Sequence, residues 1–456
     1  MKFAGWKSVI FFSLFCTALL TVINPVFAVV PVFATDRETT PIPAGIHDTD
    51  DPAIWLHPTS PESSLVIGVS KNKLKTGGQA GIGIYNLQGE LVKYILHDRL
   101  NNVDLRYNIA SGQKAIDLAV ASNRDKKALS LFAVSDNDIR HIQDIVLRAG
   151  NNKMLTEEPY GLCLGQNRNN GRLYAFSPMK SGLIYQHAIY YSNGQFHLDH
   201  IRTIDTARYL TRPVDQHLIT ITVNDAVWQS ALGKNELIAE INEELRDRFQ
   251  LEGCVVDDAK NTLYYGMENL GVFKFNLNAR NNEHPVLIAK VARARSEPGS
   301  DSIAEGTPRV INDVEGLALL HGPCGQGALI VSVQGLDEYA LFDKQTDRYI
   351  GSFKLVHGAG DPVTETDGLD TIGSYLGPAY PHGLLVVHDH VNTDSDQQIL
   401  NANYKLKGLD EILDFFPALG VEGFQYDPRK AMDWPAPCWS QHNYRGVRHH
   451  LFAVHR

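Results

Sequence analysis

Acidic and basic residues recur along this chain at matching points. The carboxylates Asp50, Asp51, Glu252, Glu268, Asp313, Glu315 and Asp367, the amide Gln334, the phenol Tyr160 and the cations Lys71, Arg124 and Lys180 each sit at the start or end of a short apolar run. Brought to one place, so many carboxylates repel each other, and close pairs cannot all stay ionised without a compensating cation. Oxygen ligands with no His or Cys cluster among them suit a hard ion, calcium before magnesium, because flexible multi-carboxylate cages fit the larger ion. Lys71, Arg124 and Lys180 would then face an anionic ligand, since arginine matches phosphate oxygens two at a time. Taken singly, each residue is ordinary. An Asp before Pro caps a turn, Glu315-Gly316 and Asp367-Gly368 read as turn formers, a lone Lys71 is solvated, Tyr160 is an inner-strand aromatic and Gln334 a satisfied cap. The signal is their recurrence.

Recurrence implies repeated elements that position these side chains. "DDPAIWLHP" leads to "LVIGVSKNK", "AIDLAVASNR" to "LSLFAVS", "EPYGLCLG" to "RLYAFSPMKSG", "LEGCVVDD" to "TLYYGMEN", "DVEGLALL" to "ALIVSVQG", and "TDGLDTIG" to "GLLVVHDH". Each unit is a polar or Gly-bearing start, a short apolar strand, a turn, and a second strand ending in polar side chains. Six such units predict an all-β, six-bladed β-propeller with equivalent positions on one mouth, a pair of β-sandwiches being the alternative. The units average about sixty residues, longer than the roughly forty to fifty of regular propeller repeats, so the excess must be loops. Helical periodicity is confined to Glu236 to Phe249 and Leu409 to Phe416.

At the N-terminus, Lys2 and Lys7 precede an apolar run ending in Val26-Phe27-Ala28 and Val32-Phe33-Ala34, each with the small-residue spacing of a signal-peptidase site. Residues 1–34 therefore read as a signal peptide cut after Ala28 or Ala34, with an uncleaved membrane anchor as the alternative. No later apolar stretch is long enough to span a bilayer, so the mature chain is expected off the membrane, in the periplasm or the medium. Without residues 1–34 it carries 40 Lys+Arg (42 less Lys2 and Lys7) against 52 Asp+Glu, a net charge of −12 that argues against a nucleic-acid partner. Residues 35–432 read as one domain, expected to be monomeric, and 433–456 as an unassigned tail. The cysteines left after cleavage are Cys163, Cys254, Cys324 and Cys438. Export permits one or two disulfides, and a Cys163–Cys254 bridge across neighbouring units or two free thiols are both open.

At these residues the chain resembles the β-propeller phytases, calcium-dependent phosphatases acting on myo-inositol hexakisphosphate (phytate). The matching motifs run in order from "DDPAIWLHP" through "RLNNVDLRYN", "ASNR", "PYGLCL", "EGCVVDD", "DVEGLALL", "SVQG" and "TDGLD" to "GPAYPHGLLVVHD", then weakly to "DPRK". They cover roughly residues 45 to 432, and the RHGxRxP of histidine acid phosphatases is absent. The resemblance implies several Ca2+ ions, structural at the rim and catalytic at the mouth. It also implies a small-molecule substrate, phytate and lower inositol phosphates, and hydrolysis of the 3-phytase type through a calcium-activated water. By motif, Asp50, Glu252, Asp313, Glu315 and Gln334 correspond to the active-site calcium shell, with Glu268 and Asp367 beside it. Asp51, the backbone carbonyl of Val103, Asp361, Asp389 and Asn392 correspond to structural calcium contacts. Lys71, Arg124, Tyr160 and Lys180 correspond to phosphate-binding side chains.

Two motifs depart from the family pattern. "HDHVN" stands where "QDGEN" is common, so Val391 replaces a Glu contact of one rim site, and "TETDG" for "SDTDG" puts Glu365 in place of an Asp. A six-bladed calcium lactonase or phosphotriesterase would also gather acids round a channel, but it does not call for three phosphate-facing bases. A non-enzymatic calcium-binding propeller would use the acids structurally and leave the bases as rim charges.

Overall fold

The computed structural model describes residues 30–43, 48–71, 80–136, 138–167, 170–206, 249–279, 284–291, 307, 309–311, 313–421 and 425–430. The signal region before residue 30, residues 236–248 of the helix expected over Glu236 to Phe249, Cys438 and the tail 433–456 lie outside them. The other expected helix forms at Asp410–Phe415.

Six small sheets stand as the blades of a β-propeller, antiparallel but for one added strand. Their innermost strands are Thr49–Trp55, Leu100–Ser111, Cys163–Gln166, Leu251–Asp257, Val314–His321 and Leu369–Ile372. These strands pack against one another in a closed cycle round the axis, blade 1 to blade 6 and back to blade 1. Burial on both faces explains their sequences. Thr49–Trp55 is buried at every position and Val314–His321 at all but its last, so past their polar starts they read as apolar runs, without the alternation of a half-exposed strand.

Blade 2 corrects the expected register of the repeats. "AIDLAVASNR" and "LSLFAVS" are its second and third strands, Lys114–Asn123 and Ala128–Ser135. Its inner strand is the preceding Leu100–Ser111. That strand opens on polar Asn101 and Asn102, bulges twice and alternates buried with exposed residues towards its end, so it lacks the apolar run of the other five.

The N-terminal segment closes the ring. Val32–Ala34 adds a parallel fifth strand to blade 5 beside Tyr349–Val356, with Phe33 buried against Phe353. Arg37–Glu38 supplies the outer strand of blade 6, antiparallel to Asn403–Gly408. Blades 3 and 4 are further joined by a disulfide between Cys163 and Cys254, with Cα atoms 5.6 Å apart. Cys324 is also disulfide-bonded.

Candidate active site

A repeated backbone irregularity aims the chemistry. Four inner strands insert one extra residue at the same end. Asp50-Asp51 lie between the pairs Thr49↔Ser70 and Pro52↔Gly68, and Asn101-Asn102 between Leu100↔Asn123 and Val103↔Ala121. Glu252-Gly253 and Glu315-Gly316 occupy the equivalent gaps in blades 4 and 5. In blade 3 the N–H groups of Tyr160 and Gly161 both donate to the Pro178 carbonyl at 3.1 Å. In blade 6 Asp367-Gly368 directly precede the inner strand. A bulge opposes two residues to one and turns a side chain out of the pleat. The first residues of these pairs are Asp50, Asn101, Tyr160, Glu252, Glu315 and Asp367. The second strands end beside them and bring up Lys71, Arg124, Lys180, Glu268 and Gln334.

The glycines of these pairs are not turn formers. A methyl group at Gly161 would overlap the Glu252 carbonyl, one at Gly253 the Glu315 carbonyl, one at Gly316 the Asp367 carbonyl, and one at Gly368 the Asp51 side chain. Asp51 in turn accepts the Val103 N–H at 3.1 Å. From blade 3 round to blade 1, each blade thus touches the next at the level of the mouth closer than any Cβ would allow.

Within the mouth two zones differ. In the first, Lys71 Nζ lies 2.7 Å from Asp50 Oδ2 and 2.6 Å from Asp367 Oδ2, and Gln334 donates to the other oxygen of Asp367. Burial opposes the charge on Lys71, but Asp367 and Asp50 outweigh it and hold the ammonium well above its ordinary pKa. In the second, ligand oxygens of Glu252, Glu268 and Glu315 lie within 4.8 Å of one another, all three residues buried. Asn101 donates to Glu252 at 2.5 Å, and Gln250 donates to Glu268 and, at 3.2 Å, to the Tyr160 hydroxyl. Lys180 Nζ stands 4.0 Å above the Tyr160 ring and the Arg124 guanidinium 5.5 Å from its centre. Arg124 donates to Asn101 Oδ1 at 2.9 Å. Asp313, half-buried, joins through its carbonyl, which accepts the Gln334 N–H.

Burial and mutual repulsion push Glu268 up to about 8 and raise Glu315 well above the carboxylate range; burial does the same to Asp50. Glu315 Oε2 and Asp50 Oδ1 are buried with no hydrogen-bond donor. Orphaned, all-oxygen and acidic, these donors fit a hard divalent cation.

The residues expected at the rim divide. Asp361, Asp389 and Asn392 do come together, joined by Glu38, but the fully buried Lys405 ammonium stands among them. Its Nζ lies 2.5 Å from Glu38 Oε2, 3.1 Å from Asp389 Oδ2 and 3.3 Å from Asn392 Oδ1, and it also pairs with Asp361. Asp51 and Val103 meet each other through the Val103 N–H.

Comparison with known proteins bears on what this mouth does. The phytase family model matches residues 17–207 and 233–433. The chain belongs to the phytase family. The protein is accordingly an enzyme, a phytase, built on a six-bladed propeller. It is 29% identical over 407 residues to a 3-phytase of Bacillus subtilis (strain 168), covering 87% of this chain and 88% of that one. Among solved structures, BBS1N in complex with ARL6DN overlays with a TM-score of 0.39 at 10% identity, over 84% of this chain and 98% of that one, too distant a likeness to carry an argument.

Asn101 and Gln250 are the phytase mouth residues that sequence reasoning missed. The recurring polar pair at inner-strand starts, applied to "LNNVDL", would have found Asn101. Gln250 precedes "LEGCVVDD" and carried no such signal.

Proposed function

We propose that this phytase hydrolyses phytate and lower inositol phosphates to inorganic phosphate with calcium bound at the mouth. The observation that carries the reading is the buried Glu252, Glu268 and Glu315 cluster beside Tyr160, flanked by Lys180 and Arg124. Asp50, Glu252, Asp313, Glu315 and Gln334 would hold the cations, with Glu268 and Asp367 beside them. Bound there, calcium would neutralise the acids and acidify water for attack on phosphorus.

The chain's own side chains supply the rest. Arg124, oriented by Asn101 and Glu158, offers planar donors to equatorial phosphate oxygens, and Lys180 over Tyr160 adds a second positive charge. Lys71 is the counter-ion of Asp50 and Asp367. Cations taken up by those acids would release Lys71 to a phosphate group. No side chain is required to form a covalent phospho-enzyme.

Support for export comes from the N-terminus. Cleavage after Ala28 keeps Val32–Ala34 in blade 5, whereas cleavage after Ala34 removes that strand. No helix among the described residues is long and apolar enough to cross a membrane. The acidic chain is proposed to act as an exported monomer on a small-molecule substrate, without nucleic acid.

Phosphate release from phytate, measured beside hydrolysis of a lactone and of a phosphotriester, tests the reading. Turnover of phytate alone, lost in excess EGTA and restored by calcium, is the expected result. Undiminished turnover in EGTA would remove the metal, and lactone hydrolysis without phosphate release would remove the substrate.

A further inference from the structure

Outside the mouth, a second cluster of metal-ligating side chains lies between the outer strands of blades 1 and 2. His97 ends the strand Leu91–His97, and His141 and Asp144 lie on Asp138–Val146. Their ligand atoms lie within 4.8 Å of one another. We propose that His97, His141 and Asp144 form a binding site for a divalent transition metal of the zinc class, stapling blade 1 to blade 2.

The donor set differs in kind from the mouth: two imidazoles and one carboxylate suit zinc, cobalt or nickel and are a poor match for calcium. The spacing fits as well. His97 Nε2 lies 3.4 Å and His141 Nε2 2.9 Å from Asp144 Oδ1. Tetrahedral zinc with bonds of about 2.0 Å sets neighbouring ligand atoms about 3.3 Å apart.

The surroundings are those of a ligated histidine. His97 Nδ1 is buried without a hydrogen bond, and Asp98 Oδ2 lies 3.5 Å from it, placed to take its proton once Nε2 is committed to a metal. Asp144 Oδ2 is held by Lys126 at 2.7 Å, and Lys126 also pairs with Asp98 at 2.8 Å, leaving Oδ1 to face the imidazoles with Ser130 donating to it at 2.7 Å. Phe132 packs against both rings, at 5.6 and 5.3 Å, and fixes their tilt. His141 is the most exposed of the three side chains, so the fourth position opens on its side.

Cobalt provides the test, since tetrahedral Co2+ absorbs strongly in the visible and octahedral Co2+ weakly. The mature full-length protein, its oxygen sites filled with calcium, is titrated with Co2+ and then back-titrated with Zn2+. The expected result is a saturable visible band displaced by zinc, lost in His141→Ala, and joined in His141→Cys by a near-ultraviolet sulfur-to-cobalt band. Asp98→Asn should weaken binding by roughly ten- to a hundredfold. Because His141 is partly exposed, its variants should fold, which circular dichroism checks. A wild-type protein without the band, or a band that survives in His141→Ala, overturns the proposal.

Discussion

The mouth and the rim of this propeller both gather buried carboxylates, and they neutralise them differently. At the rim, Glu38, Asp361 and Asp389 surround Lys405, so the chain carries its own cation into the cluster. At the mouth, Lys71 pairs with Asp50 and Asp367, while the Glu252, Glu268 and Glu315 carboxylates crowd one another and Glu315 keeps an orphaned oxygen. A buried ion pair completed within the chain holds structure. A buried cluster of mutually repelling acids fits the external cation proposed above. The rim is thereby suited to architecture and the mouth to holding the proposed cation.

The largest expected effect breaks the mouth. Glu252→Ala should abolish turnover of phytate and weaken calcium binding, with partial rescue at high calcium. Calorimetric titration beside phosphate release would show both, and unchanged calcium affinity would mean that Glu252 is not a ligand.

Next comes the rim. Lys405→Met leaves three acids without their internal cation and should cost about 3–5 kcal/mol of stability in calcium-free buffer. Added calcium should recover part of that loss in the variant, because an ion bound only by the folded state stabilises by mass action. Denaturant unfolding with and without calcium measures it. A variant as stable as wild type would show that the rim acids do not depend on Lys405.

Replacing Lys71, Arg124 or Lys180 by Ala should each lower turnover by about a hundredfold, the scale of losing one preorganised donor to the transition state, with calcium affinity little changed. Near wild-type rates in all three would leave the mouth without a phosphate site.

Asn101→Ala should have the smallest effect, about tenfold in turnover, since it frees Arg124 and Glu252 from one shared hydrogen-bond partner without removing either. The loss should appear in kcat more than in KM. A rise in KM alone would make Asn101 a substrate contact.

How much of this was legible in the sequence depended on what each residue answers to. Inner strands buried on both faces must be apolar, so five of six units announced themselves. Blade 2 did not, because Leu100–Ser111 is polar at one end and half-exposed at the other. Misplacing that strand hid Asn101. The pairs Glu315-Gly316 and Asp367-Gly368 looked like turns because local statistics favour turns, and only contact with the next blade reveals why no side chain fits there. Lys405 was invisible for a related reason. A lone lysine in "NANYKLKG" reads as solvated, and nothing local tells of acids brought from Glu38, Asp361 and Asp389. The pairing Cys163–Cys254 was open in the sequence and followed once their inner strands became neighbours.

The strand Arg37–Glu38 gives the folding of this ring an unusual order. It completes blade 6, and Thr39 next to it pairs with Tyr404, 365 residues away in the chain. Bringing such distant segments together costs about 5 kcal/mol of chain entropy, plus a constant term, before any contact rewards it. The segment synthesised early is therefore used late: five blades can form from local hairpins, while the sixth waits with an open edge for the N-terminus to return. That predicts slow, closure-limited refolding. On the export proposed above, a chain that crosses a membrane N-terminus first would keep its last clasp free until the whole length has crossed.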